Sequence, residues 1–411
     1  MKKIRLLYVA FFCIFSFFVF AQTGSNHDGK SVTLVVCGTA DTKDEAIKTA
    51  LRSAIEQAFG TFVSSNTTIV NDELTKDEIV SVSSGNIENY SLISSDMQPD
   101  GKCSVSLKAT VSIGKLIQFA QSKGASTEFA GQTFAMNIKL IELRQKNTLE
   151  AYKNMCLQLG EMAKEAFDYE LKIGEPTVSK DNYVIPVTVI VHSNEATNQI
   201  WRTMKETLNS LQLNEVDHKD YTKKGYWAYT FIVDEEKNRW IPGALRYYLP
   251  IPSRKDEETI YSLDEDLNKK VIYSFLNYKL ESLSNSEDWF EWKWNKSSGY
   301  NDDIITLEGY GPSFKNWKCT NNLEYHPFSS KGTNSGYLGW KDRIGILCNK
   351  WILSRNVKLS TSQIFDQRID NNTNWDLWNK KDAILVEYTI KLIMPKEFMA
   401  TFNGFTIKKN K

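Results

Sequence analysis

Aromatic side chains in the last half of the chain are the residues whose types and spacing could form a binding site. In the segment WFEWKW, Phe290, Trp292 and Trp294 alternate with charged residues. Because successive side chains of a β-strand point to opposite faces, these three rings are expected on one face. Three such rings either fill a core, which is the default in a β-rich segment, or form a platform on which a sugar ring stacks.

Catalytic chemistry has no comparable motif in this sequence. The four histidines that follow the N-terminal apolar run are not spaced as metal ligands, and the GxSxG, P-loop, GxGxxG and CxxC patterns do not occur. We therefore expect no cofactor, no metal ion and no catalysis. A hydrolase that uses two carboxylates remains an alternative, because the distance between such carboxylates in space is not set by their spacing in the sequence.

The N-terminus has the layout of a secretory signal peptide. Three basic residues among the first five precede an uncharged run from Leu6 to Ala21, and a polar stretch begins at Gln22. The run is shorter than the roughly 20 residues of a membrane-spanning helix, and Ala21 is the small residue expected before a cleavage site. Residues 1–21 are therefore expected to be removed, which places the mature chain in the periplasm or at the cell surface, without a transmembrane helix.

Five cysteines remain once the signal peptide is removed, so at least one is expected to stay free or to bond to another molecule. Cys156 is the expected free thiol, because it lies on an apolar stripe with the three-to-four spacing of a buried helix face. Export would allow the others to form disulfides. Connectivity does not follow from sequence alone, and the pairings to be tested are Cys37 with Cys103 and Cys319 with Cys348.

Residues 32–120 predict the order strand, helix, helix, strand, strand. The first helix is expected to start near Asp41 and to end at Gly60. Alanines recur every four residues along it, so one of its faces is slim enough to lie close against a sheet. A second helix is predicted over 71–84, and the last strand alternates apolar and polar residues, as a sheet with one solvent-exposed face requires. The alanine stripe consists of Ala46, Ala50, Ala54 and Ala58.

These segments also resemble a known family. The helix LRSAIEQAFGTFVSS, the stretch NDELTKDEIVSVSSGNIENY and the hairpin that ends in DGKCSVSLKATVS are similar to the N-terminal domain family of the flagellar assembly protein T. The flagellar member helps to build a periplasmic ring, and similar domains occur in other bacterial envelope proteins. The resemblance implies an exported domain for assembly or binding, without catalysis. The rest of the chain gives no reason to carry over the flagellar role.

Two further regions follow. Residues 126–213 predict a second α/β unit that contains a strand at FAMNIKLIE, the Cys156 helix, more strands and a helix from Ala196. Pro186 cannot donate to a neighbouring strand, so its strand is expected at a sheet edge or a bulge. Residues 214–411 hold ten of the eleven tryptophans among many turn sequences, which favours a β-rich domain. Its strands are predicted at YWAYTFIV, WFEWKW, RIGILCNKWIL and ILVEYTIKLIM, whereas residues 264–282 fit either a helix or a strand.

The whole sequence predicts an α+β protein: a signal peptide at 1–21, helix-covered mixed or antiparallel sheet units at 22–125 and 126–213, and a Trp-rich β domain at 214–411. The equal counts of 50 basic and 50 acidic residues do not indicate a nucleic-acid partner. We expect an exported, non-catalytic cell-envelope protein that assembles with itself or binds other envelope proteins. The first alternative is a surface protein that binds a glycan through C-terminal aromatic rings, and the second is the carboxylate-dependent hydrolase.

The signal peptide can be tested directly. We expect the mature protein, purified from the envelope of its own cells, to begin at Gln22, because a signal peptidase cleaves after a small residue such as Ala21. Intact-mass spectrometry distinguishes this product from the full chain. Material that still begins at Met1 would contradict export by a cleaved signal.

The disulfide can be tested on the same material. Non-reducing peptide mapping is expected to find Cys319 bonded to Cys348, and Cys156 is expected to react with an alkylating reagent after unfolding. Recovery of Cys319 and Cys348 as separate alkylated peptides would refute the pairing.

Overall fold

A computed structural model describes residues 31–62, 85–98, 100–122, 133–180, 182–233, 245–296, 303–312, 318–325, 382, 384–399 and 401–410. The fold is α+β, and the strands of these residues pair in antiparallel ladders. None of the helices among them is long and apolar enough to cross a bilayer. The signal peptide, the helix predicted over 71–84 and the strand predicted over 343–353 lie outside the described residues.

Helices and strands are interspersed along the chain. The strands are β1 (Ser31–Ala40), β2 (Ile87–Met97), β3 (Cys103–Ser112), β4 (Phe167–Ile173), β5 (Thr177–Ser179), β6 (Asn182–Ser193), β7 (Trp227–Val233), β8 (Leu245–Ile251), β9 (Tyr278–Ser282), β10 (Trp289–Lys296), β11 (Asp303–Tyr310), β12 (Lys318–Tyr325), β13 (Ile384–Pro395) and β14 (Phe405–Lys409). The helices are α1 (Lys43–Phe62), α2 (Ile113–Ser122), α3 (Thr133–Met162), α4 (Glu195–Leu211), α5 (Glu215–Lys223), α6 (Lys255–Phe275) and α7 (Lys396–Met399).

Helix α1 packs closely on the first sheet, whose strand order is β1-β3-β2. The four alanines of the stripe are fully buried against apolar residues of β1 and β3, as their spacing predicted. At Gly38 the helix and strand come so close that a Cβ atom would lie 2.2 Å from the carbonyl oxygen of Ala46. Small residues on both surfaces therefore set the distance between this helix and the sheet.

The ends of α1 differ from the prediction. The hydroxyl of Thr42 accepts a hydrogen bond from the Glu45 N–H (3.3 Å), so Thr42 caps the helix N-terminus. The helix continues through Gly60 to Phe62, because Gly60 does not take the positive φ of a C-terminal cap.

The polar face of β3 is buried, which corrects the expectation of a solvent-exposed face. Its serines and its threonine are buried, and Lys108 is the exposed residue of that face. The Gln158 side chain of α3 accepts hydrogen bonds from the hydroxyls of Ser94 (3.1 Å) and Ser106 (3.0 Å). Strand alternation distinguishes the two faces of a sheet, but it does not reveal that a polar face packs against another polar surface.

Helix α3 replaces the strand that was predicted at FAMNIKLIE. It runs for 30 residues, and Met136, Leu140 and Leu143 form a stripe that packs against the core beneath α1. This stripe has helical spacing and continues into the Cys156 stripe, whose residues belong to the core of the second unit. One helix thus contributes to both cores.

The second sheet contains a strand from the end of the chain. Its order is β13-β6-β4, so the segment ILVEYTIKLIM pairs with the second unit although its sequence was assigned to the β-rich region.

Strand β6 is central, which corrects the edge position expected from Pro186. Pro186 lies where the ladder on one side of β6 passes from β4 to β5 and is interrupted. Its carbonyl accepts a hydrogen bond from the Gly174 N–H (2.8 Å) at this interruption, so the missing N–H of the proline is tolerated.

The third sheet has the order β12-β11-β10-β9-β14. The segment WFEWKW forms β10, as predicted, and the segment at 264–282 is divided between the end of α6 and strand β9. Helix α6 packs on α3, and Gly160 of α3 gives the room for this, because a Cβ there would lie 2.7 Å from the Lys270 side chain. The region from residue 214 onward therefore combines strands with a long helix.

Cys37 and Cys103 are free, which contradicts the pairing that we proposed. In the β1–β3 ladder Cys103 lies opposite Ala40, so the two side chains share a face. Ala40 is three residues from Cys37 along β1, and an odd separation along a strand places two side chains on opposite faces. Cys103 therefore faces α1, whereas the Cys37 thiol contacts the Ser106 hydroxyl at 2.9 Å. Cys156 is free and buried, as predicted.

The close packing of the alanine stripe leads to a stability prediction. Ala54→Leu adds three carbon atoms between α1 and the sheet and is expected to lower the free energy of unfolding of the mature chain by about 1 to 3 kcal/mol. Lys48→Leu, on the exposed side of the same helix, is the matched control and should change it by less than about 0.5 kcal/mol. Urea unfolding followed by circular dichroism measures both. Equal stabilities for Ala54→Leu and the parent protein would show that the stripe is not a packed surface.

Candidate functional site

The aromatic residues predicted as a ligand platform lie in β10, but two of them face the protein interior. Phe290 is fully buried and packs edge-on against Phe405, with ring centroids 5.7 Å apart. Trp292 is also buried, and its Nε1–H donates to the Tyr278 hydroxyl (2.8 Å). The side chain of Trp294 lies outside the described residues. The faces of Phe290 and Trp292 are thus occupied by protein groups.

A second aromatic pair lies on the opposite face of the same sheet. Trp289 and Tyr310 stack with ring centroids 5.6 Å apart and are partly exposed. The ammonium group of Lys279 lies 5.7 Å from the Trp289 ring centre, and that of Lys293 lies 4.7 Å from the Tyr310 ring centre. The outer ring faces therefore contact lysines through cation–π interactions, and sugar stacking would have to displace these side chains.

The described residues do not include the two side chains of the predicted disulfide. Cys319 lies in β12, but its side chain is outside them, and Cys348 is outside them altogether. The pairing of these two cysteines stays a prediction.

Asp264 is the carboxyl group that first suggests catalysis, because burial raises its pKa to about 8. Its residue is 4% exposed, and the Tyr152 hydroxyl donates a hydrogen bond to Oδ1. Tyr152 and the nearby Tyr229 are themselves buried. A substrate would have no direct path to this carboxyl. The described residues also contain no group of three or more His, Cys, Asp or Glu side chains that could hold a metal ion.

The open edge of the first sheet is the surface with the features of a binding site. Strand β2 is eleven residues long and occupies one edge of the β1-β3-β2 sheet. Within the described part of the chain it pairs with β3 alone. No other strand in the described ranges pairs with the backbone N–H and C=O groups that point away from β3, so these groups can pair with a further strand.

Apolar side chains line this edge. Tyr90 is 49% exposed, Leu92 is 41% exposed, and Met97 is 64% exposed. Tyr90 lies opposite Ala109, and Leu92 lies opposite Leu107, two residues of the core beneath α1. Cross-strand partners share a face, so Tyr90 and Leu92 extend the apolar layer of that core outward to the solvent.

The middle of β2 lacks the usual protection of an edge strand. Residues 89–95 (NYSLISS) contain no charged residue and no proline, whereas edge strands are commonly blocked by lysines, prolines or inward-pointing charges. Register shifts occur between Ile87 and Asn89 and between Leu92 and Ser94. Between these shifts, a regular segment remains at 89–92. We call residues 89–97 the β2 edge.

The opposite edge of the same sheet is covered. The Val35 N–H donates to Oδ1 of Asn147 (3.0 Å), and Nδ2 of Asn147 donates to the Val35 carbonyl (2.8 Å) and to Oε1 of Gln57 (2.9 Å). One side-chain amide from α3 thus takes the place of a neighbouring strand at β1. The sheet is held firmly at this side, which fixes the position of the β2 edge.

The β2 edge was missed in the sequence analysis. Tyr90, Leu92 and Met97 lie in a segment that was expected simply to be the first strand of a hairpin. The uncharged run NYSLISS was the available signal, but its position at an edge depends on the strand order β1-β3-β2, which the sequence does not state.

Comparison with known proteins adds no relative. The chain matches no protein-family model, no curated protein and no solved structure.

Proposed function

We propose that this chain is an exported, non-catalytic protein of the cell envelope that assembles through strand addition at the β2 edge. The observation that carries the proposal is the edge strand itself: uncharged in its middle, lined by exposed Tyr90, Leu92 and Met97, and paired on one side among the described residues. Export rests on the N-terminal sequence, which has the charge, apolar and cleavage layout of a signal peptide.

Strand addition would use both the backbone groups and the apolar side chains of the β2 edge. In this mode of recognition, backbone hydrogen bonds supply affinity, and alternate side chains supply specificity. In the described part of the chain, the β2 edge offers backbone groups that no second strand pairs with, together with an apolar pair, Tyr90 and Leu92, on one face. The anchoring of the sheet by Asn147 reduces the conformational entropy lost on binding, because the strand is already ordered.

A second copy of the chain is the partner that fits best. An antiparallel pair of β2 strands with Ser91 on the two-fold axis would place Tyr90 of each copy opposite Leu92 of the other. Aromatic residues opposite aliphatic ones stabilise strand pairs. In this register Glu88 lies opposite Ser94, so no like charges face each other. Isologous pairing about a two-fold axis is also the commonest form of protein self-assembly.

The two alternatives receive less support from the described residues. Among the described residues, a glycan-binding role could use the stacked pair Trp289 and Tyr310, but their rings contact Lys279 and Lys293. A hydrolase would have to use a carboxyl pair open to substrate, whereas Asp264 is enclosed in the core. Assembly at β2 needs no rearrangement of either kind.

A charge placed on the β2 edge tests the proposal. Leu92→Lys is expected to weaken self-association of the mature chain by at least about tenfold, because pairing would have to bury the introduced ammonium group. Val216→Lys is the matched control, since Val216 is 76% exposed on α5 and lies away from the β2 edge. Sedimentation velocity over a series of protein concentrations measures the association constant of each variant.

Both variants should unfold with the stability of the parent protein to within about 0.5 kcal/mol, because each replaces an exposed side chain. A parent protein that stays monomeric at every concentration would contradict self-assembly. Equal association constants for Leu92→Lys and Val216→Lys would contradict the role of the β2 edge.

A further inference from the structure

We propose that Asp264 is a proton-dependent latch that joins α3 to α6 and loosens their contact as the pH rises. The latch is independent of strand addition, because it lies in the core of the second unit and not at the β2 edge. It is a device that the assembly function neither requires nor explains.

The geometry of the latch brings three elements to one carboxyl group. Asp264 lies on the buried side of α6, near Leu267 and Val271 of the same core. The hydroxyl of Tyr152, in the middle of α3, donates to its Oδ1. Tyr229, on β7, is buried close enough to this carboxyl to affect its pKa.

The titratable groups around Asp264 come from each of these elements. Helix α3 contributes Tyr152 and Cys156, and β7 contributes Tyr229. Helix α6 contributes Lys270 and Asp266, which act on the Cys156 thiol and pair with each other at 3.6 Å. The nearby lysine is thus engaged with a carboxylate of its own helix.

Burial dominates the protonation of this cluster. It raises the pKa of Asp264 to about 8, although the hydroxyls of Tyr152 and Tyr229 act to lower it. Burial also raises the pKa of Tyr152 and the pKa of Cys156 well above their usual values. Asp264 is therefore the member of the cluster that changes its charge near neutral pH. Its protonated form is neutral and can itself donate a hydrogen bond in the core.

The direction of the pH effect follows from the two states of the chain. In the unfolded chain Asp264 loses its proton near its ordinary pKa of about 4, whereas in the folded chain it keeps it to about pH 8. Between these values the folded state binds more protons, so its stability falls as the pH rises. The contribution of the latch is complete below about pH 4 and is lost by about pH 8.

The latch also lies on the helix that holds the first sheet. Tyr152 is placed between Asn147, which bonds to β1, and Gln158, which bonds to Ser94 and Ser106. A change in the contact between α3 and α6 therefore acts on the helix to which both units are attached.

Asp264→Asn tests the proposal, because asparagine is neutral at every pH and has nearly the same shape. Urea unfolding of the mature chain and of this variant is compared at several pH values. The ratio of the unfolding constant of the parent to that of Asp264→Asn is expected to rise at least about tenfold between about pH 5 and about pH 8. All other titratable groups are the same in both proteins, so their effects cancel in the ratio. A ratio that is constant or falls with pH would overturn the proposal.

Tyr152→Phe provides a second variant if Asp264→Asn does not fold. It removes the hydroxyl that donates to Oδ1 and favours the charged carboxylate, so the pKa of Asp264 should rise further. The fall in stability should then continue to a higher pH than in the parent. An unchanged upper limit would contradict the role assigned to the carboxyl.

Cys156 supplies a local readout of the same contact, since it is buried beside Asp264. Its alkylation in the folded protein requires the contact between α3 and α6 to open. At about pH 9 the parent is expected to be alkylated at Cys156 several times faster than Asp264→Asn. In addition to burial, the Asp264 carboxylate raises the pKa of this thiol in the parent, so its direct effect on the thiol opposes the expected difference. Equal rates would show that ionisation of Asp264 does not loosen this joint.

Discussion

The contact between α3 and the first sheet is the interaction on which the rest of the structure depends. Val35 of β1 reaches the core of the second unit, while Leu143 of α3 reaches the core beneath α1. Between these two apolar contacts the Asn147 amide pairs with the N–H and the C=O of Val35. A buried strand edge must have its backbone groups paired, so this amide determines where the sheet can sit against the helix.

An asymmetry between the two edges of that sheet follows. The edge at β1 is covered by α3, whereas β2 pairs with β3 alone within the described part of the chain and carries exposed apolar side chains. The short distance between α1 and the sheet, set by the alanine stripe and Gly38, brings the helix down over the centre of the sheet. Tyr90 and Leu92 lie beyond that centre, so they continue the apolar layer of the sheet but are not buried by the helix.

Polar groups orient the helices inside the second unit. Gln158 holds one side of α3 to Ser94 and Ser106, and Tyr152 holds another side to Asp264 of α6. Apolar contacts tolerate small rotations of a helix, but a hydrogen bond between buried groups is strongly directional and costly to leave unmade. The same enclosure that makes the Asp264 carboxyl unsuitable for catalysis makes its protonation state matter to the fold.

The sequence by itself determined the local features, and the tertiary structure decided which surfaces meet. The alanine spacing, the alternation of β3, the WFEWKW strand and the burial of Cys156 follow from the periods of helices and strands, which are local properties of the chain. The burial of the polar face of β3, the helix at FAMNIKLIE and the pairing of β13 with β6 depend on residues distant in sequence. A serine or asparagine has the same local preference in water and in a polar interface, so only the partner across the contact distinguishes the two. The exposure of the β2 edge was decided in the same way, because strand order places a segment at an edge and no residue within that segment encodes it.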